Sequence, residues 1–145
     1  MKVDASKLFA ALRHAASNFE SAIDDALSET AAKGAQLAQD TGRAVFHSYS
    51  AKGLISKIQP LRNSAFQHSI IADAPYASWV EHGRGWIFPV RAKALRFIVD
   101  GKAVFAAYAR PSQPKPFMQP TADKLQGGLI DEIVAKHINQ LFLTR

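Results

Sequence analysis

The chain has 145 residues, 48% of them apolar and 21% charged, with a formal net charge of +6. That length supports one domain with a self-sufficient core. Cysteine is absent, which excludes a disulfide framework, a thiolate zinc site and a cysteine nucleophile, and fits a reducing compartment.

The opening Met1-Lys2-Val3-Asp4 leads into an amphipathic pattern, so no signal peptide is expected. No apolar run is long enough to span a bilayer, and no membrane partner is expected. Residues 4 to 46 read as one long helix. Leu8, Leu12, Ala15, Phe19, Ile23, Ala26, Thr30, Leu37, Thr41 and Val45 recur mostly at steps of three or four and form one stripe. Asp4 is placed to cap the first turn, and frequent alanine favours helix. A continuous helix of this length spans roughly 60 Å, more than the diameter of so small a domain. Either it breaks near Gly34 or it reaches another subunit.

Ser48 to Gly53 reads as a turn. Leu54 to Leu61 is a short helix or strand that Pro60 ends either way. Arg62 to Ala72 reads as a strand with Phe66, His68 and Ile70 on one side. Asp73-Ala74-Pro75 breaks it. Pro75 suits the first helical position, so Tyr76 to Glu81 is expected as a short helical turn. Tyr76, Trp79 and Val80 are its packing anchors, and Gly83 and Gly85 let the chain leave in a new direction.

Ala94 to Val99, Asp100-Gly101 and Lys102 to Ala109 predict a hairpin with a two-residue turn. In that register Val99 faces Lys102, Phe97 faces Val104 and Leu95 faces Ala106. Both faces are partly apolar, so the second face is expected to be covered by a helix of this chain or by a neighbouring subunit. Pro111, Pro114 and Pro116 mark an extended loop. A last helix begins at Pro120-Thr121, with apolar positions Leu125, Leu129, Ile130, Ile133, Val134, Ile138, Leu141 and Phe142. Gly127-Gly128 in its second turn costs roughly 1 kcal/mol per glycine against alanine, and predicts a bend or a close contact. The expected architecture is α+β, one domain over 1–145. It comprises a long helix (1–48), a small antiparallel sheet with a central hairpin and loops (49–118), and a C-terminal helix (119–145).

The charge is uneven. Residues 1–50 sum to −1, whereas residues 84–115 carry Arg84, Arg91, Lys93, Arg96, Lys102, Arg110 and Lys115 against Asp100 alone. Such a segment suits nucleic acid or an acidic protein neighbour, or else a solvated sheet edge that discourages aggregation. Basic residues interleave with Trp86, Phe88, Phe97, Phe105 and Tyr108, which fits stacking on nucleic acid. Alternation places Phe97 in the core and leaves Phe105 open. For catalysis or a metal, His68, Asp73, Glu81 and His82 are the candidates. No two of the histidines stand at i and i+4, and adjacent Glu81 and His82 point apart. There is neither a Gly-x-Ser-x-Gly elbow nor a phosphate-binding glycine loop. No catalytic residue, metal or cofactor is expected. Glu81 is expected to pair with an arginine of the basic segment.

Ala74-Pro75-Tyr76-Ala77 followed by Val80-Glu81-His82-Gly83 resembles the "PYA…VEfG" signature of a small tailed-phage family. Its members are neck, head–tail connector or tail-completion proteins, and the lambda Z-type minor tail protein is commonly placed among them. Pro89, Ala92-Lys93-Ala94-Leu95-Arg96-Phe97, Gly101-Lys102 and Val104-Phe105 resemble the family's central hairpin. Pro114, then Pro116-Phe117-Met118 and Pro120, resemble its "ARPFlrPA" element. The resemblance covers roughly residues 50 to 142. His82 stands where an aromatic is usual, Arg84 where threonine is frequent, and Lys115 where arginine is usual. The resemblance implies a non-enzymatic virion protein, present in the host cytoplasm during assembly. It forms a homo-oligomeric ring at the head–tail junction, beside other neck and tail-tube or terminator proteins, with genome DNA passing through. The long helix, the two-faced hairpin and the proline-rich arm ending at Phe117 all suit subunit contact. A standalone basic module binding nucleic acid without sequence preference is the alternative.

Overall fold

The computed structural model describes residues 5–47, 53–99 and 101–143. The Asp4 cap, most of the Ser48–Gly53 turn and Asp100 lie outside the described residues.

The alanine-rich first third forms one unbroken helix, α1 (Ala5–Val45). It runs through Gly34 and Gly42, and 41 residues give it a length of about 60 Å. Gly34 is a site of close approach: a Cβ there would overlap Ile70 Cδ1 and lie 2.9 Å from Leu125 Cδ1. The buried positions of α1 are Ala22, Ala26, Thr30, Ala31, Gly34, Ala35, Ala38 and Gly42. Beyond Thr30 this departs from the expected stripe, since Leu37, Thr41 and Val45 are only half-buried. The cause is packing from two sides: a β-ribbon and the C-terminal helices both lie against α1, so small side chains must fill a wide sector. The Thr30 hydroxyl donates to the Ala26 carbonyl at 2.8 Å, which satisfies it inside the helix.

That ribbon is β1 (Ile58–Ser64) antiparallel to β2 (Gln67–Ala72). Pro60 does not end the segment; it sits within β1 opposite Ile70. In a two-stranded ribbon each strand is an edge, and alternate N–H groups face away from the partner, so proline is tolerated. Arg62 to Ser64 belong to β1, with an irregularity between Arg62 and Ser64. Phe66 is a turn residue with φ 64° and is exposed, so it is not a strand position beside His68 and Ile70.

Pro75 lies in a turn that the Ala77 N–H closes on the Ala74 carbonyl at 3.0 Å. It therefore precedes the short helix α2 (Ala77–His82) and is not its first residue. The hairpin β3 (Leu95–Val99) and β4 (Lys102–Ala106) pairs Leu95 with Ala106, Phe97 with Val104 and Val99 with Lys102. This is the expected register, and Gly101 takes the positive φ of 76°. The C-terminal segment starts earlier than expected, at Met118, with α3 (Met118–Lys124). A kinked turn (Leu125–Leu129) follows and leads into α4 (Ile130–Leu143). Gly128 at φ 123° is the expected bend, and a Cβ at Gly127 or Gly128 would meet nothing within 4 Å. The fold is α+β, its strands divided into two antiparallel ribbons of two strands each.

One core gathers Ala35, Ala38, Phe46, Leu54, Ile58 and Phe117. Tyr76 and Val80 pack against it as anchors, whereas Trp79 is 51% exposed. Phe117, expected at a subunit contact, is 1% exposed and meets Phe46 edge to face at 5.3 Å. The chain folds back after its proline-rich loop, and the ring joins Phe46 among the largest fully buried side chains of the core. Among the described residues no helix is long and apolar enough to cross a membrane.

Candidate functional site

From Gly83 to Pro116 the chain leaves the core and returns, forming an arm. Its base is a ladder of backbone bonds. Arg84 and Ser112 exchange N–H···O bonds at 3.1 and 3.0 Å, and Ile87 and Ala109 do so at 3.0 and 2.8 Å. The Lys115 N–H donates to the Val80 carbonyl at 2.8 Å. Gly83, at φ 74°, is where the chain turns out; a Cβ there would lie 2.7 Å from the Ser112 carbonyl oxygen. The substantial packing of β3 and β4 is with each other.

Glu81 closes the arm. Its carboxylate accepts the N–H groups of Phe117 at 2.8 Å, Met118 at 3.0 Å and Gln119 at 2.9 Å. These are free donors at the start of α3, which no side chain of its own caps. The expected arginine partner within the chain is therefore replaced by a helix end, whose aligned N–H groups favour an anion. Burial raises the Glu81 carboxyl, but the three hydrogen bonds outweigh it and hold the group below its ordinary value of 4.5.

The other catalytic candidates do not converge. The His82 Nδ1–H donates to the Ser78 carbonyl at 3.1 Å. The His68 Nε2–H donates to Asp24 at 3.0 Å, and Asp73 is exposed. Among the described residues no three His, Asp or Glu side chains form a group that could hold a metal ion.

The sequence reading missed two carboxylates of α1 that anchor the fold. Asp24 also accepts from Arg62 at 2.7 Å and from the Phe66 N–H at 3.2 Å, so it holds the β1–β2 turn in its positive-φ shape. The His68 hydrogen bond, then that of Phe66, lowers its pKa. Glu29 accepts from His137 at 2.6 Å and from Lys136 at 3.1 Å, tying α4 to α1. With Lys33 at 3.0 Å, these bonds, that of His137 foremost, bring its pKa from 4.5 to about 2. Only the Glu29–Lys33 spacing of four was visible in sequence.

Among the described residues two apolar surfaces stand bare. On the arm, Trp86 stacks on Phe88 at 6.3 Å, and Tyr108 leans on both at 5.4 and 6.4 Å, all three exposed. Val90 is 95% and Phe105 67% exposed. Leu95, Phe97 and Ala106 are half-buried, while the Ile98 and Phe105 face has no cover among the described residues. Pro89 is half-buried beside Phe88, and Pro116 and Pro120 bracket the Phe117 turn. Arg84, Arg91, Lys93, Arg96, Lys102, Arg110 and Lys115 form no ion pair among the described residues. The second bare surface is the first half of α1, where residues 6–21 are exposed, Leu8, Phe9, Leu12 and Phe19 among them. Comparison with protein-family models, curated proteins and solved structures returns no match.

Proposed function

We propose that this chain is a structural virion protein of a tailed phage or prophage, a neck or tail-completion component of the head–tail junction. The observation that carries the reading is the Glu81 clasp. It joins two of the three segments on which the family resemblance rests, Pro75–Gly83 and Pro116–Pro120, 36 residues apart at Glu81 and Phe117. A carboxylate whose two oxygens are taken by three backbone donors holds a shape and is not free to move protons. Around the clasp, large apolar and cationic surfaces have no partner among the described residues, which suits a protein completed by its neighbours. Those neighbours are further copies in a ring and the adjoining neck, tail-tube or terminator proteins. Genome DNA passing the junction would meet the arm's cations without sequence preference, because phosphate contacts carry no base information.

Deleting the gene from its phage tests the reading. Electron micrographs of the lysate are expected to show separate filled heads and separate tails, with joined particles restored by the wild-type chain. The exposed Trp79→Ala chain is expected to restore fewer. Joined, infectious particles at full titre without the chain would overturn it.

The seven cations, which form no ion pair among the described residues, and the exposed ring trio favour one second reading, a standalone nucleic-acid-binding module. It requires retardation of duplex DNA at low salt. If all seven cations met phosphates, the logarithm of affinity would fall with that of salt at a slope of about −6. No retardation at low salt would remove it.

A further inference from the structure

We propose that α4 is a hinged latch. Pivoting at Gly128, it swings off α1 as a unit, and the segment from Met118 to Leu143 becomes one continuous helix. The device is a property of the fold and does not depend on the virion role proposed above.

The hinge is a single residue. Between α3 and α4 only Gly128 leaves the helical region, at φ 123° and ψ −14°. Lys124 and Leu125 before it and Ile130 after it are right-handed helical. Returning Gly128 to helical angles joins the two helices and restores the regular ladder, in place of the present bond from the Ile130 N–H to the Leu125 carbonyl. A kink at a glycine pair needs a cause, and close packing does not supply it. At Gly34 a Cβ would strike Ile70, whereas at Gly127 or Gly128 it would meet nothing within 4 Å. The open space around the pair leaves the rotation unhindered. Pro120 fits the joined helix as well, because N–H groups of a first turn have no partner within the helix.

Burial divides at the same place. Before the hinge, Phe117, Thr121 and Leu125 are buried, and Leu125 lies against Gly34 of α1. Beyond it, Ile133 is the one buried residue described in α4. The core around Phe46 and Phe117 draws none of its described residues from α4. A half-buried apolar face (Val134, Ile138 and Leu141) and one polar tie hold α4 in place. In that tie Glu29 accepts from Lys136 at 3.1 Å and from His137 at 2.6 Å, and Lys136 is exposed to water. Past His137 the two helices stand apart. A cleft of about 540 Å³ opens between Asn18, Ser21 and Asp25 of α1 and Gln140 and Leu141 of α4.

α4 can thus leave α1 while the core stays closed, a local opening that lies below global unfolding in free energy. Its departure strips cover from α1 between Ala22, which lines the cleft, and Glu29, which bonds to α4. The exposed stretch of α1 that ends at Ser21 then lengthens. One residue absorbs the change in backbone angles, and the elements on either side of it move as rigid bodies, as in other hinges. The kinked and joined forms are two discrete states, and anything that binds one of them better shifts the balance.

Pulsed electron paramagnetic resonance between two spin labels tests this on the full-length chain. The chain contains no cysteine, so Ser28→Cys on α1 and Asn139→Cys on α4, both at exposed positions, supply its only thiols. Asn139 lies about 16 Å beyond the pivot, so the swing moves its label by on the order of 10 Å or more. With the rest of the chain unchanged, most molecules are expected at one short distance. Gly128→Ala is strained at positive φ and favoured in the joined helix. It is expected to raise the ratio of a longer distance to the short one by at least about fivefold. Glu29→Gln, which weakens the tie and leaves the hinge alone, is expected to raise the ratio too. Gly127→Ala is expected to leave it unchanged, because Gly127 is helical in both forms. Helical circular dichroism and a cooperative thermal transition are expected to persist in all three, since the core stays closed. The latch is refuted if the longer distance fails to grow in Gly128→Ala or in Glu29→Gln. It is refuted equally if Gly127→Ala raises the ratio as much as Gly128→Ala, or if the longer distance grows only with loss of the cooperative transition.

Discussion

Glu81 offers the sharpest test of how this fold holds its arm. Replacing it with alanine removes the acceptor for three N–H groups, those of Phe117, Met118 and Gln119. Hydrogen bonds to a charged acceptor contribute about 1.5–3 kcal/mol each when fully sequestered, and loss of a helix cap costs about 0.5–2 kcal/mol. Glu81 is half-buried, so water takes over part of the loss. A total of about 2–3 kcal/mol follows for Glu81→Ala, a large share of an ordinary domain's stability. Glu81→Gln retains one carbonyl oxygen and loses the charge, for about 1–2 kcal/mol. Urea unfolding measures both as a lower midpoint at unchanged slope. The pH dependence fixes the mechanism. The folded carboxyl is held below 4.5, so its contribution is complete above the ordinary carboxyl range and is lost as pH falls through the depressed folded value. The gap between wild type and Glu81→Gln should therefore be widest near neutrality and shrink on acidification. Arg84→Ala and Arg91→Ala should leave stability unchanged, because neither contacts Glu81. A Glu81→Gln chain as stable as wild type at neutral pH would refute the clasp. So would an arginine variant that reproduced its loss.

Two further outcomes follow from the packing. Phe117→Ala removes the buried ring that meets Phe46 edge to face and should cost about 3–5 kcal/mol, seen as a lowered thermal midpoint; a loss below about 1 kcal/mol would place Phe117 outside the core. Glu29→Gln should loosen α4 from α1, raising amide exchange along Ile130–Leu143. In the wild type this tie should be intact above 4.5 and lost as pH falls toward about 2. Exchange in α4 that ignores both changes would contradict the assignment.

What was legible in the sequence was local. Asp-Gly between β-prone runs carried the β3–β4 register, because a two-residue turn leaves no freedom in pairing. Gly127-Gly128 announced the bend at Gly128, since two glycines in a helix invite a break. The Phe66 turn was hidden, as neither glycine nor asparagine marks it; its positive φ is held from outside by Asp24, 42 residues earlier. Pro60 misled because an edge strand spares the N–H that proline lacks. Glu81 looked like half of an ion pair because its true partners are backbone groups, which have no signature in composition. The second face of the two-faced apolar hairpin was expected under a helix of this chain or a neighbouring subunit, and among the described residues no helix of the chain covers it.

The most direct measurement for the central claim is to label this chain with antibody on intact purified particles and view them by electron microscopy. The account predicts label confined to the junction between head and tail, in complete particles. Label spread over the capsid or along the tail, or none in particles where the junction is accessible, would contradict it.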